Sequence, residues 1–413
     1  MDVIQIITIL IGICAAFSYL NTRFLKFPPS VGIMLIALIF SILLLIEGHA
    51  SSYFHDLVKD IVAEVNFPHI LLDVMLGFLL FAGSLHVNFN ALKKQGPAIT
   101  IFSTLGVMVS TFLFGTIFYF LLDLVSLHID YMYCILFGSL ISPTDPIAVL
   151  GILKKCNVPK EIEVLIEGES LFNDGIGVVL FLTLMQVVNS GIENFSGLET
   201  AGLFAREVFG GLLLGFLHGY IVFYFIKKID NYHTVVLMSL AFVMVTGQLA
   251  KLFHVSGPLA TIVVGLMVGN KAHKFMSVKT KDYHDKFWEL LDDLLNAMLF
   301  VLIGLQMVML PFLLQYLEIG ILSIFLLIAC RFVSLRLPML FLKNKLLYNK
   351  NTALIMTWGG LRGGLSIALT LSLPDSPFNE TIIAITYMIV IFSILIQALT
   401  TERVVKSLLK IKN

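Results

Sequence analysis

Apolar runs long enough to cross a lipid bilayer recur from one end of this chain to the other. A hydrocarbon core of about 30 Å needs about 20 consecutive apolar residues in a helix. Thirteen such stretches stand near 3–20, 29–46, 67–87, 97–122, 131–152, 161–189, 204–227, 233–251, 256–270, 287–311, 318–342, 351–373 and 379–402 of the 413 residues. Hydrophobic residues make up 58% of the chain and charged residues 13%, an excess that the interior of a water-soluble fold cannot hide. In lipid every backbone N–H and C=O must be satisfied within its own segment, so the runs read as helices. The expected fold is an all-α polytopic membrane protein with thirteen transmembrane helices.

Basic residues orient the spans. With the amino terminus outside, the inward connections carry Arg23 and Lys26; Lys93 and Lys94; Lys154, Lys155 and Lys160; and Lys227 and Lys228. They continue with Lys271, Lys274, Lys279, Lys281 and Lys286; Lys343, Lys345 and Lys350; and Arg403, Lys406, Lys410 and Lys412. The inward side holds 21 basic residues against three outward, Lys59, Arg206 and Lys251. That asymmetry places the carboxyl terminus in the cytoplasm and the protein in the cell (inner) membrane. Residues 1–20 lack a basic leader and read as a retained first span. About ten residues follow the last span, so no soluble regulatory domain is expected. With 27 basic and 27 acidic residues, nothing favours a nucleic-acid partner. Cys14, Cys134, Cys156 and Cys330 form no C-x-x-C pair and read as small core residues rather than a disulfide or zinc framework. The ten histidines read mostly as interfacial, and the stretch 271–289 as a solvated basic loop at the lipid surface.

Six charges lie deep, where each costs about 2.5–3.5 kcal/mol on insertion scales. They are Asp73, Asp145, Glu169, Asp174, Arg331 and Arg362. Four acids against two bases leave two carboxylates uncompensated. Such groups stay protonated or hold a cation, which is the chemistry of a proton- or cation-coupled carrier.

Two spans cannot be continuous helices. The fifth contains Ser142-Pro143-Thr144-Asp145-Pro146, and each proline removes a donor and clashes with the preceding turn. The twelfth contains Gly359-Gly360-Leu361-Arg362-Gly363-Gly364, which permits unwinding. Seven spans separate them, so they run in opposite directions. This pattern points to inverted repeats, spans 1–6 and 8–13, with two broken helices crossing at the midplane. On span 6, Ser170 and Asp174 share a face, with Glu169 and Asn173 beside them. Gly175 and Gly177 leave room for a close neighbour. Asp174 lies 13 residues past Glu161, about 20 Å along the helix and near mid-membrane. Glu169 is expected to form a buried ion pair with Arg362, while Arg331 pairs with an acid or with exposed carbonyls.

The motifs S-P-T-D-P (142–146), E-G-E-S-L-F-N-D-G (167–175) and G-G-L-R-G-G (359–364), in this order, resemble the NhaP and eukaryotic NHE branch of the cation:proton antiporters. Weaker echoes are L-L-F-A-G-S-L-H (79–86), S-G-P-L-A (256–260) and L-L-N-A-M-L-F-V-L-I-G (294–304). The resemblance implies a homodimer. A core would form from helices within 97–190 and 318–405, and a dimerisation domain from helices within 1–90 and 204–311. It implies a Na⁺ site of Asp174, Asp145, Ser170 and Thr144, with Asn173 as the family's Asn-Asp partner and Glu169 with Arg362 as the structural pair. Electrogenic relatives carry Asp-Asp in place of Asn173-Asp174. One departure is Ala82, which follows Phe81 where many relatives carry an acid. Any gating role of that acid is absent here or moved to Asp73.

The expected activity is exchange of Na⁺ or Li⁺ for H⁺ by alternating access, one for one and electroneutral, in pH homeostasis, with no cofactor beyond the transported ions. Protons and cations would compete for Asp174, and Asn173 binds no second proton. A K⁺/H⁺ antiporter of the same fold is the alternative. A sodium-coupled symporter would need a larger polar cavity near the breaks. An intramembrane enzyme would need a H-E-x-x-H, G-x-S-x-G or His/Asp constellation within a span, and none occurs.

Overall fold

The computed structural model describes residues 3–27, 29–47, 67–125, 127–156, 158–191, 196–307, 313–340, 342 and 350–409. Lys59, Lys343, Lys345, Lys410 and Lys412, which entered the orientation argument, lie outside the described residues. Among the described residues the chain is helical and holds no strand. We number the helices α1 (Val3–Leu20), α2 (Pro29–Glu47), α3 (Pro68–His86), α4 (Phe89–Leu124), α5 (Tyr131–Ile141), α6 (Ile147–Lys155), α7 (Lys160–Ser190) and α8 (Gly197–Ile226). Then follow α9 (Tyr232–Phe253), α10 (Gly257–Asn270), α11 (Val278–Gln306), α12 (Leu317–Met339), α13 (Lys350–Trp358), α14 (Gly364–Leu371) and α15 (Asn379–Leu409). Eight helices among the described residues are long and apolar enough to cross a membrane.

Two helices start earlier than their apolar runs. Asn88 caps α4, its side chain accepting from the N–H groups of Asn90 and Ala91, so the helix begins eight residues before Pro97. Ser277 caps α11 by accepting from Thr280 N, and its own N–H donates to Asp230. Both starts are polar. Capping, not hydropathy, sets them. The stretch 271–289 is therefore no solvated loop. It is a 3₁₀ turn, Ala272–Phe275, followed by the first turns of α11, with His273 and His284 buried. His218 is also buried, its Nδ1 2.9 Å from Thr246 Oγ1, so the interfacial reading of the histidines fails at three positions.

The two expected breaks are present. α5 stops at Ile141 and α6 starts at Ile147; α13 stops at Trp358 and α14 starts at Gly364. The intervening segments run antiparallel past each other and form one bridge, Asp145 N donating to Leu361 O at 2.9 Å. α4 packs on α5 and α7, and α12 on α4, α13 and α15. The largest buried apolar cluster is centred there, with Phe114 and Phe118 edge-on to Phe137 at 5.3 and 5.0 Å. A second cluster joins α1, α2 and α11 to α14 and α15, and a third joins α3 to α8, α9, α10 and α11.

α7 lies against the first break at Gly177. A Cβ there would run into Pro143 Cγ, and a proline ring has little freedom to yield. Overpacking of this kind costs about 1–3 kcal/mol. Gly177→Ala should therefore lower the melting temperature of the detergent-purified protein. Gly202→Ala, where a Cβ would meet nothing within 4 Å, should leave it unchanged or slightly raised, since alanine is the better helix former.

Candidate ion-binding site

The crossing brings four helix ends together. The carbonyl ends of α5 and α13 are partially negative and the amide ends of α6 and α14 partially positive. Arg362, 1% exposed, serves the negative ends: its Nε donates to Ile141 O and its Nη1 to Gly360 O at 2.7 Å. Asp145 serves the positive ends. It stands two residues before α6, and its carboxylate lies against Gly363, where a Cβ would approach Oδ2 to 2.8 Å. A side chain at 363 would displace that carboxylate.

α7 supplies the rest. Ser170 Oγ donates to Thr144 O, fixing the extended segment to the helix. Asn173 uses both ends of its amide: Nδ2 donates to Thr144 Oγ1 at 2.9 Å and to Glu169 Oε1 at 2.8 Å, while Oδ1 accepts from Thr144 N at 3.3 Å. The family-implied pairing of Glu169 with Arg362 is not made. Glu169 Oε2 instead accepts from Arg331 Nη2 at 2.7 Å, both side chains being 2% exposed. The reason is that Arg362 is committed to the two helix-end carbonyls, whereas Arg331 on α12 has its guanidinium beside α7.

Asp145, Ser170 and Asp174 line one cavity of about 170 Å³ between α3, α6, α7, α11 and α14. Thr144 and Asn173 do not line it; they stand behind the site and hold its shape. The cavity's other polar residues are Glu167, Asp292, Asn296 and Ser366. Four of its lining residues are acids, and among the described residues no lysine, arginine or histidine lines it. Asp174 takes part in no ion pair among the described residues. Asp73 lies elsewhere, 2.9 Å from Lys251 Nζ and 2.5 Å from His69 Nδ1, so it does not replace the acid absent at Ala82. Ala82 is buried in the cluster formed by α3 and α8–α11.

Asp292 and Asn296 were missed in the sequence. Asn296 follows Asp292 by one turn on α11, and both line the cavity. The i, i+4 spacing on a helix that turns apolar at Leu294 was the available signal, masked by the neighbouring Asp293.

The family model for "Sodium/hydrogen exchanger, transmembrane" matches residues 7–407. The chain is 39% identical over 411 residues to a Na⁺/H⁺ antiporter NhaP of Pseudomonas aeruginosa, covering 98% of this chain and 96% of that one. It is 32% identical over 399 residues to a Na⁺/H⁺ antiporter NhaH of Halobacillus dabanensis, covering 94% and 93%. The structure of the sodium proton antiporter MjNhaP1 from Methanocaldococcus jannaschii superposes with a TM-score of 0.78 at 20% identity, over 99% of this chain and all of that one. The family match defines a membrane transporter, and its fold carries two broken helices. The chain belongs to the sodium/hydrogen exchanger family.

The ion pair gives a direct test. Removing one member of a buried pair costs about 3–5 kcal/mol, because the other is left buried and uncompensated. Arg331→Met should lower the melting temperature strongly, and adding Glu169→Gln should recover part of the loss. The same Glu169→Gln added to Arg362→Met should recover nothing, since Arg362 serves carbonyls. Equal recovery in both backgrounds would contradict the pairing seen here.

Proposed function

We propose that the protein exchanges Na⁺ or Li⁺ for H⁺, one for one, at Asp174 and Asp145. The observation that carries this reading is the cavity at the crossing, into which four acids and, among the described residues, no basic side chains are set. A hard monovalent cation prefers oxygen ligands, and the carboxylates of Asp174 and Asp145 supply them. Ser170 gives its proton to Thr144 O, which leaves its oxygen lone pairs for the ion. The Thr144 carbonyl, behind the cavity wall, holds that hydroxyl in place. Asn173 acts by positioning Thr144. The names of the relatives agree with sodium as the cation.

Cation and proton then compete for one carboxylate, and only an occupied site is electrically balanced for passage. The moving body is the core within 97–190 and 318–405, which rocks against the helices within 1–90 and 204–311. What supports this division is the cavity itself: α3 and α11 form one wall and α6, α7 and α14 the other. The protein works as a homodimer in the cell membrane, with its amino terminus outside and its carboxyl terminus in the cytoplasm. The 21-to-3 distribution of basic residues supports that orientation.

Proteoliposomes with an imposed pH gradient test this. Asp174→Asn should abolish cation-driven dissipation of the gradient while keeping the wild-type melting temperature. Normal turnover in a folded Asp174→Asn protein would remove the assignment. A scan of Na⁺, Li⁺ and K⁺ should give exchange with Na⁺ and Li⁺; exchange with K⁺ alone would make the protein a potassium exchanger.

Stoichiometry and competition are read in the same vesicles. Sodium exchange should run at the same rate whether or not the potential is clamped with potassium and valinomycin. Apparent affinity for Na⁺ should weaken as pH falls, by about tenfold per unit at most, the limit for one competing proton. A sodium-dependent current would show a second moving charge, and a pH-independent affinity would defeat the competition.

A further inference from the structure

At the start of α11, away from the ion cavity, His273, His284 and Asp285 converge. His273 Nε2 lies 3.3 Å from His284 Nδ1 and 3.3 Å from Asp285 Oδ1, and His284 Nδ1 lies 3.7 Å from Asp285 Oδ1. The His284 side chain is fully buried, that of His273 is 6% exposed and that of Asp285 27%. We propose that this triangle is a binding site for a divalent transition-metal ion of the Zn²⁺ class.

The first argument is geometric. Metal–ligand bonds of about 2.0–2.1 Å in a tetrahedral site separate the ligand atoms by about 3.3–3.4 Å. The three atoms already stand at nearly that spacing, so one ion at their centre reaches all of them. The second is hydrogen-bond arithmetic. Each imidazole nitrogen carries either one proton or one lone pair in the ring plane. His273 Nε2 therefore serves one of its two neighbours at a time. Asp285 Oδ1 is buried and accepts no hydrogen bond, although both imidazoles face it. A single cation satisfies all three atoms together.

Neutral imidazoles and an ionised carboxylate are the forms in which such residues ligate metal. Two nitrogens and one carboxylate suit Zn²⁺ better than Mg²⁺ or Ca²⁺, which take all-oxygen shells. The site ties the turn after α10 to α11. Asp285 precedes the cavity acid Asp292 by two turns, about 10 Å, and the end of α3 lies close by at His86.

The test uses the full-length protein, purified in detergent and stripped with chelator. Co²⁺ serves as a spectroscopic stand-in for Zn²⁺. The expected result is one Co²⁺ per chain with the intense visible bands of a tetrahedral site, displaced by Zn²⁺ and not by Mg²⁺. Zn²⁺ should also raise the melting temperature. Asp285→Asn and His273→Gln should each weaken binding more than about tenfold and remove the Zn²⁺-induced rise, while melting like the stripped wild type. Only the weak spectrum of octahedral Co²⁺, or equal affinity in both variants and wild type, would overturn the site.

Discussion

A helix interrupted inside a membrane exposes backbone groups and half-helix dipoles that lipid cannot solvate. The rest of this structure depends on how that exposure is met at the crossing. Asp145 N donates to Leu361 O, and Arg362 donates to Ile141 O and Gly360 O. Thr144 N is held by Asn173. One acid faces the amide ends and one guanidinium the carbonyl ends, so the crossing carries its own counter-charges. Two short extended segments persist there because these bonds hold them to each other, to the end of α5 and to α7.

That arrangement decides what is left for an ion. Arg362 is held by carbonyls, and Arg331 by Glu169. Asp73 is matched by Lys251 and His69. Each deep arginine has a task outside the cavity, and among the described residues the charged side chains that line the cavity are all acids. Asn173 is essential to the division. Its amide donates to Glu169 and Thr144 and accepts from the Thr144 backbone N–H, a combination no carboxylate offers. An aspartate there would set a second negative charge against Glu169 and change both the crossing and the charge carried.

The breaks and the acids near them were legible because they violate local rules. Two prolines three residues apart and a cluster of glycines cannot continue a helix, and Ser170 and Asp174 share a face by spacing alone. The partner of Glu169 was not legible. Arg331 and Arg362 are both deep and basic and both reach the second break, and only tertiary packing gives the carbonyls to Arg362 and the carboxylate to Arg331. Asp292 lies five residues inside the run read near 287–311, in its charged first turns, and was passed over as a span-end charge although the helix continues through it. Residues 271–289 misled for the same reason: a charged surface stretch conceals two buried histidines when its helix is capped at Ser277.

The same bonds constrain how the proposed exchanger can move. Residues 142–146 and 359–363 are joined by a backbone bridge and by Arg362, and α7 is fastened to the first segment by Ser170, Asn173 and the close contact at Gly177. Moving any one of these elements alone would strip polar groups of their partners in a medium that offers no replacement. Across the cavity the contact surface is different. α3 presents Leu76, Leu79, Leu80 and Gly83, which have no polar side-chain groups to be left unpaired as they slide. The boundary of lowest resistance therefore runs between α3 and the crossing. An ion held by Asp174 and Asp145 can be carried past that apolar wall without its ligand set being taken apart.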